Sequence, residues 1–154
     1  MKEIERIEEL FKDLFEGDPW LDVNIVSTLE GIDAGLAAQR IAEGRNTIWE
    51  IVNHITSWRQ NILERIRGNF IPAPEHNFIL PVKDPSEEAW QNDIAKLKAT
   101  QVEWEQALKG FKAEDLERTG DPKDKTPFYY YVHGILQHDA YHLGQIVLLK
   151  KLLA

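Results

Sequence analysis

Apolar residues recur along this chain at three- and four-residue steps, and no segment alternates apolar and polar positions as a half-buried strand would. Ile4, Ile7, Leu10, Phe11, Leu14 and Phe15 fall on one helical stripe, which Gly17-Asp18-Pro19 ends. Over 21–42 the spacing of Val23, Val26, Leu29, Ile32 and Leu36 continues, but Gly31 and Gly35 weaken it, so this stretch predicts short helical pieces. Thr47-Ile48-Trp49-Glu50 has the form of a capping box and predicts a helix over 48–67. Its buried stripe is Ile48, Ile51, Val52, Ile55, Trp58, Ile62 and Ile66, and Gly68 supplies a left-handed stop.

Residues 69–84, with Pro72, Pro74 and Pro81, read as one ordered crossover loop. Asp84-Pro85 then predicts a helix start, with Trp90, Ile94, Leu97, Trp104 and Leu108 facing inward until Gly110. Thr126-Pro127 repeats that signal before a last helix running to about Leu152. There Val132, Ile135, Leu136, Ile146, Leu149 and Leu153 point inward, and Lys150 and Lys151 complement the C-terminal dipole. Four long helical patterns without a repeat or a low-complexity tract predict an all-α fold, a four-helix bundle with long crossover loops, forming a single domain over 1–154.

Composition narrows the function. The chain has 154 residues, 43% of them hydrophobic and 29% charged, as expected of a globular domain with a proper core. Its 18 basic and 26 acidic residues give a net charge of −8, which argues against nucleic acid as a partner. Arg59, Arg65 and Arg67 are bunched but read as a solvated helix surface. No apolar run is long enough to span a membrane, and the charged, helical start has no leader-like character, so the expected compartment is the cytoplasm. The absence of cysteine excludes disulfides, thiolate ligands and a protein-borne thiol nucleophile.

The candidate chemistry is carried by histidine. His138 and His142 lie four residues apart, about 40° in azimuth and about 6 Å in rise, so both rings reach one point. A His-x-x-x-His pair alone is a weak sign, and a lone His54 would read as a hydrogen-bonded core residue. Three inward-facing histidines on two helices of one bundle point instead to a shared divalent transition metal, because facing helices commonly build such sites.

Neighbouring residues receive structural readings. The capping box occupies Glu50. Asp139 lies about 100° round the helix from His138 and suits a solvated or interhelical polar contact. Gln145 returns to within about 20° of the azimuth of His138, and either lines the pocket or packs. Gly134 and Gly144 suggest close helix approach or space near the metal, with packing the simpler explanation. His133 is turned about 140° away, and His76 sits in the proline-rich loop; neither is expected to be a ligand. Trp58, Trp90 and Trp104 read as core, and at least one of Tyr129, Tyr130 and Tyr131 must face outward.

The stretch from Thr47 through Trp49, Glu50 and His54 to Ile55, the Trp20 region, and the ending His133-Gly-Ile-Leu-Gln-His138-Asp139-Ala-Tyr-His142-Leu-Gly-Gln145-Ile146 together resemble the DinB/YfiT-like superfamily over nearly the whole chain. The resemblance implies that the family's three metal ligands fall on His54, His138 and His142, and that the metal is zinc or nickel with open positions for water or substrate. It further implies a small-molecule substrate, chemistry of the thiol S-transferase or hydrolase kind with a low-molecular-weight thiol such as bacillithiol as cosubstrate, and a homodimer. No catalytic side chain is singled out. The competing expectation is a non-enzymatic metal-binding or stress-related module on the same fold.

Overall fold

A computed structural model describes residues 2–120 and 125–154. Among these, helices α1 (Glu3–Phe15), α2 (Ile25–Leu29), α3 (Ala34–Ala38), α4 (Ile48–Ile66), α5 (Glu87–Lys109) and α6 (Phe128–Leu153) form the fold, with a 3-10 turn at Ala113–Glu117 and no strand. The four long helices make the bundle: α4 packs on α5 and α6, and α1 closes the ring against the same two. None of these helices is long and apolar enough to cross a membrane.

The predicted stripes are buried, with local exceptions. On α1, Ile4, Ile7, Phe11, Leu14 and Phe15 are buried, but Leu10 is 50% exposed. It lies about 90° from the centre of that stripe, beyond the face that one neighbouring layer covers. Val23 is also exposed, because it precedes α2 instead of lying on it. The predicted short pieces are α2 and α3, capped by Asn24 and Asp33, whose side chains accept from Ser27 N and Leu36 N. They are tied to the bundle by Trp90 Nε1, which donates to Ile32 O, by Ala34 N, which donates to Glu87 Oε2, and by Lys150 Nζ, which donates to Thr28 O and Glu30 O.

Helix α4 starts as predicted. Glu50 N donates to Thr47 Oγ1 at 3.1 Å and Thr47 N to Glu50 Oε2 at 2.8 Å, and Gly68 follows with φ 93°. Helix α5 starts two residues later than Asp84-Pro85 predicts. Ser86 is the cap, accepting from Ala89 N, while Asp84 Oδ1 accepts from Ser86 N and so shapes the turn ahead of it. At α6 the cap position is Pro127, one residue on from the prediction. Phe128 N donates to Arg118 O and Thr119 bridges to Pro127, so backbone pairing fixes this start.

The core is two apolar clusters stacked along the bundle. One joins the end of α1, α2, α3, the first halves of α4 and α5 and the last half of α6; the other joins α1, the second half of α4, the end of α5 and the start of α6. Between them lies a buried polar layer built from Arg59, Thr100, Gln101 and Asp139. In register it falls between Ile55 and Ile62, between Leu97 and Trp104, and between Ile135 and Leu143, which places it level with the last-helix histidines.

Candidate metal centre

His54 comes from the middle of α4, and His138 and His142 from successive turns of the facing α6. Each offers one ring nitrogen to a common point, and the three atoms lie within 4.8 Å of one another. Ring centroids are 4.9, 4.6 and 4.4 Å apart for the three pairs. Of the predicted site residues, all three are therefore brought together, and His54 and His142 are buried.

The partners of the outer nitrogens fix how the rings are presented. His54 Nδ1 donates to Asn77 O at 2.7 Å, since a carbonyl can only accept, and this leaves the Nε2 lone pair facing inward. His142 Nδ1 donates to Gln145 Oε1 at 2.6 Å with the same result. Burial lowers the His142 pKa to about 4 against the opposing bond from Gln145. Burial likewise lowers that of His54 against the bond to Asn77. At neutral pH both rings are neutral and able to ligate.

Two buried atoms test whether an ion fits this set. His138 Nε2 lies 3.0 Å from His54 Nε2, near the separation of about 3.3 Å that two nitrogens take on a tetrahedral ion with bonds of about 2.0–2.1 Å. His138 Nδ1 and Asp139 Oδ1 are both buried without a hydrogen-bond partner and lie 3.5 Å apart. Ligation through Nε2 would leave the His138 proton on Nδ1, on the side of that oxygen, and a small shortening of the 3.5 Å separation would give both orphaned atoms a partner. The donor set fits a divalent transition ion.

Asp139 is completely buried, and its other oxygen accepts from Arg59 Nη1 at 2.5 Å. Arg59, 1% exposed, also donates to Thr100 Oγ1 and Gln101 Oε1, and its guanidinium lies 5.8 and 5.1 Å from the ring centres of Phe11 and Phe15. The interhelical contact expected of Asp139 is thus an ion pair, whereas the solvated surface expected of Arg59 is wrong. Its sequence position carried the sign: Arg59 sits four residues after Ile55 and three before Ile62, inside the apolar stripe.

Other readings are also corrected. Trp58 is only partly buried; its indole N–H donates to Asn77 Oδ1 and its ring lies 6.0 Å from that of His138, beside the site and not within the core. Gly134 and Gly144 have nothing within 4 Å of an added Cβ among the described residues, so the packing explanation fails for both, while Gly134 lines the open space that reaches His138. Trp90 and Trp104 are core as expected, and Tyr129 and Tyr130 face outward. His133 packs on Tyr129 and His76 accepts from Phe78 N, both away from the cluster. Glu50 is committed to its cap and to Arg40. The 69–84 loop, unreadable in detail from sequence, bends through left-handed Asn77 and Phe78 and so brings the Asn77 carbonyl to His54.

The centre is accessible. A cavity of about 220 Å³ runs between α4 and α6 along Trp58, Ile62, Arg65, Tyr131, Gly134 and Ile135 to His138. A second hollow reaches His138 from the outer face of α6, past Tyr130, Gln137 and Tyr141.

The family model described as the DinB superfamily matches residues 23–146, a span that holds all three histidines and their partners Asn77, Asp139 and Gln145. Comparison with curated proteins and with solved structures gives no match. With the match covering most of its length, the helical bundle and the histidine cluster in place, the chain belongs to the DinB superfamily.

Proposed function

We propose that His54, His138 and His142 hold one zinc or nickel ion in a metalloenzyme of the thiol S-transferase or hydrolase kind. The observation that carries this reading is a three-histidine cluster reached by a cavity and lacking a fourth protein donor: among the described residues no further histidine or carboxylate joins the group. Structural sites tend to be closed by four protein ligands, whereas catalytic ones keep a position open. When bound, such an ion supplies Lewis acidity that lowers the pKa of a thiol or water placed against it.

The chain's own residues do the rest. Asn77 O and Gln145 Oε1 hold two rings with their donor nitrogens inward, and Asp139, anchored by Arg59, faces the third. Trp58 and Ile135 give a small substrate an apolar surface beside the centre. With no cysteine in the chain, sulfur chemistry requires a low-molecular-weight thiol as cosubstrate.

A homodimer belongs to the same proposal. Tyr130, Tyr141, Leu148 and Leu152 are exposed at helical spacing along α6, and Gly134 and Gly144 on the same helix leave room for a second helix.

The test compares metal-loaded wild type with His54→Ala, using several small thiols against a halogenated aromatic and, separately, simple esters and amides. Conjugation that depends on His54 supports a transferase, and ester or amide cleavage without thiol supports a hydrolase. Equal rates in the two proteins for every substrate would reject metal-centred catalysis and leave a non-enzymatic metal-binding module.

A further inference from the structure

We infer that the cavity between α4 and α6 is a binding site for a small organic anion, whose carboxylate pairs with Arg65 and whose flat apolar body lies along Trp58 towards His138. The proposal names the substrate class for the centre described above and rests on that reading only for what happens at the His138 end.

Arg59, on the same helix as Arg65, and Arg67, just past its end, each pair with a carboxylate, whereas Arg65 has no acidic partner among the described residues. Its guanidinium is held all the same. Nε donates to Asn61 Oδ1 at 2.9 Å and Nη2 to Ile71 O at 3.4 Å, while Cζ lies 4.5 Å from the ring centre of Phe70, 5.5 Å from that of Tyr131 and 5.8 Å from that of Trp58. Such a group is ordered before any ligand arrives, so less side-chain freedom is lost on binding.

Shape follows from the register. Trp58, Ile62 and Arg65 line one face of α4 and face Tyr131, Gly134, Ile135 and His138 of α6 across the cavity. Trp58 bridges the two ends, since its ring lies 6.0 Å from that of His138 and 5.8 Å from Arg65 Cζ. Apart from Arg65 and His138, the walls are aliphatic or aromatic, the arrangement in which one charged group sets ligand orientation. At about 220 Å³ the space suits one ring and a short chain. The guanidinium fork matches a carboxylate, and the apolar walls weaken solvent screening of the pair. An anion seated this way presents its far end to the histidine cluster.

The test uses 3-phenylpropanoate and its neutral amide as probes, titrated calorimetrically into wild type, metal-loaded and after chelator treatment, and into Arg65→Met and Arg65→Lys. The acid is expected to bind at least tenfold more tightly than the amide in both forms of wild type, with a chemical-shift change at the Trp58 indole N–H. Arg65→Met should close the gap and Arg65→Lys should keep part of it, with cooperative thermal unfolding checked for both. Equal affinity of acid and amide in wild type would overturn the proposal, as would a gap that survives Arg65→Met or one seen only in metal-loaded protein, where the acid would be ligating the ion. Acid selectivity in protein that takes up no metal would support the anion site while rejecting the metal reading.

Discussion

Replacing Arg59 with methionine should be among the most damaging single changes available, because it strands a charge. Asp139 is fully buried, and its Oδ2 has Arg59 as its hydrogen-bond partner. Breaking a buried pair from one side typically costs about 3–5 kcal/mol, a large share of the roughly 5–15 kcal/mol that stabilises a domain. Gln101 Oε1 also loses its donor, at a cost of about 1–3 kcal/mol if no water enters, so the upper half of the range is expected. Urea unfolding at pH 7 with chelator present measures this without the stabilisation that a bound ion would add. The double variant Arg59→Met with Asp139→Leu removes both charges and should recover the charge-stranding cost, leaving about 1–3 kcal/mol for the unpaired Gln101 Oε1, since apolar replacements of buried pairs are often neutral. It should still bind metal about 10- to 100-fold more weakly, because His138 loses the carboxylate facing its Nδ1. A cost below about 1 kcal/mol for the single change, or a double variant no better than the single, would refute the energetic argument. Wild-type metal affinity in the double variant would refute the orienting role of Asp139.

Further outcomes follow from neighbouring contacts. Burial raises the Glu50 pKa, but its bonds to Arg40 and Thr47 outweigh this and hold it below the ordinary value of 4.5. Its contribution to stability is therefore present above that value and lost as pH falls through the lower folded one, and Glu50→Gln should flatten the acid limb in urea midpoints measured from pH 6 to pH 3. Gln145→Ala should weaken metal binding about tenfold in competition with a chromogenic chelator, while Gln145→Glu, which still accepts from His142 Nδ1, should retain it. Sedimentation at micromolar concentration should show a dimer for wild type and for Leu10→Glu, and a monomer for Leu148→Glu; a monomeric wild type would dismiss α6 as an interface.

What the sequence made legible was local. The Thr47–Glu50 box, the stripes of α4 and α6 apart from the half-buried Trp58, Leu136 and Leu153, and the four-residue step from His138 to His142 depend on helical geometry alone and appear where expected. The departures come where a residue's fate is set by what packs opposite. Leu10 is exposed because, among the described residues, no element covers that side of α1, and Arg59 is buried because Asp139, Thr100 and Gln101 meet it from two other helices. Periodicity marks which face turns inward but not which side chains meet there. The site divides in the same way: its three histidines are visible in the spacing, whereas the Asn77 carbonyl behind His54 depends on the path of an irregular loop. Gly134 and Gly144 hint at close approach or open space, and among the described residues nothing approaches them within 4 Å of an added Cβ.

The most direct measurement is the metal content of protein purified without chelator and then supplied with zinc or nickel, read by elemental analysis together with X-ray absorption at the metal edge. The account predicts one ion per chain with three imidazole nitrogens at about 2.0–2.1 Å, and none in His142→Ala. Wild-type protein that neither carries nor takes up an ion, or that carries one undiminished in His142→Ala, would contradict it.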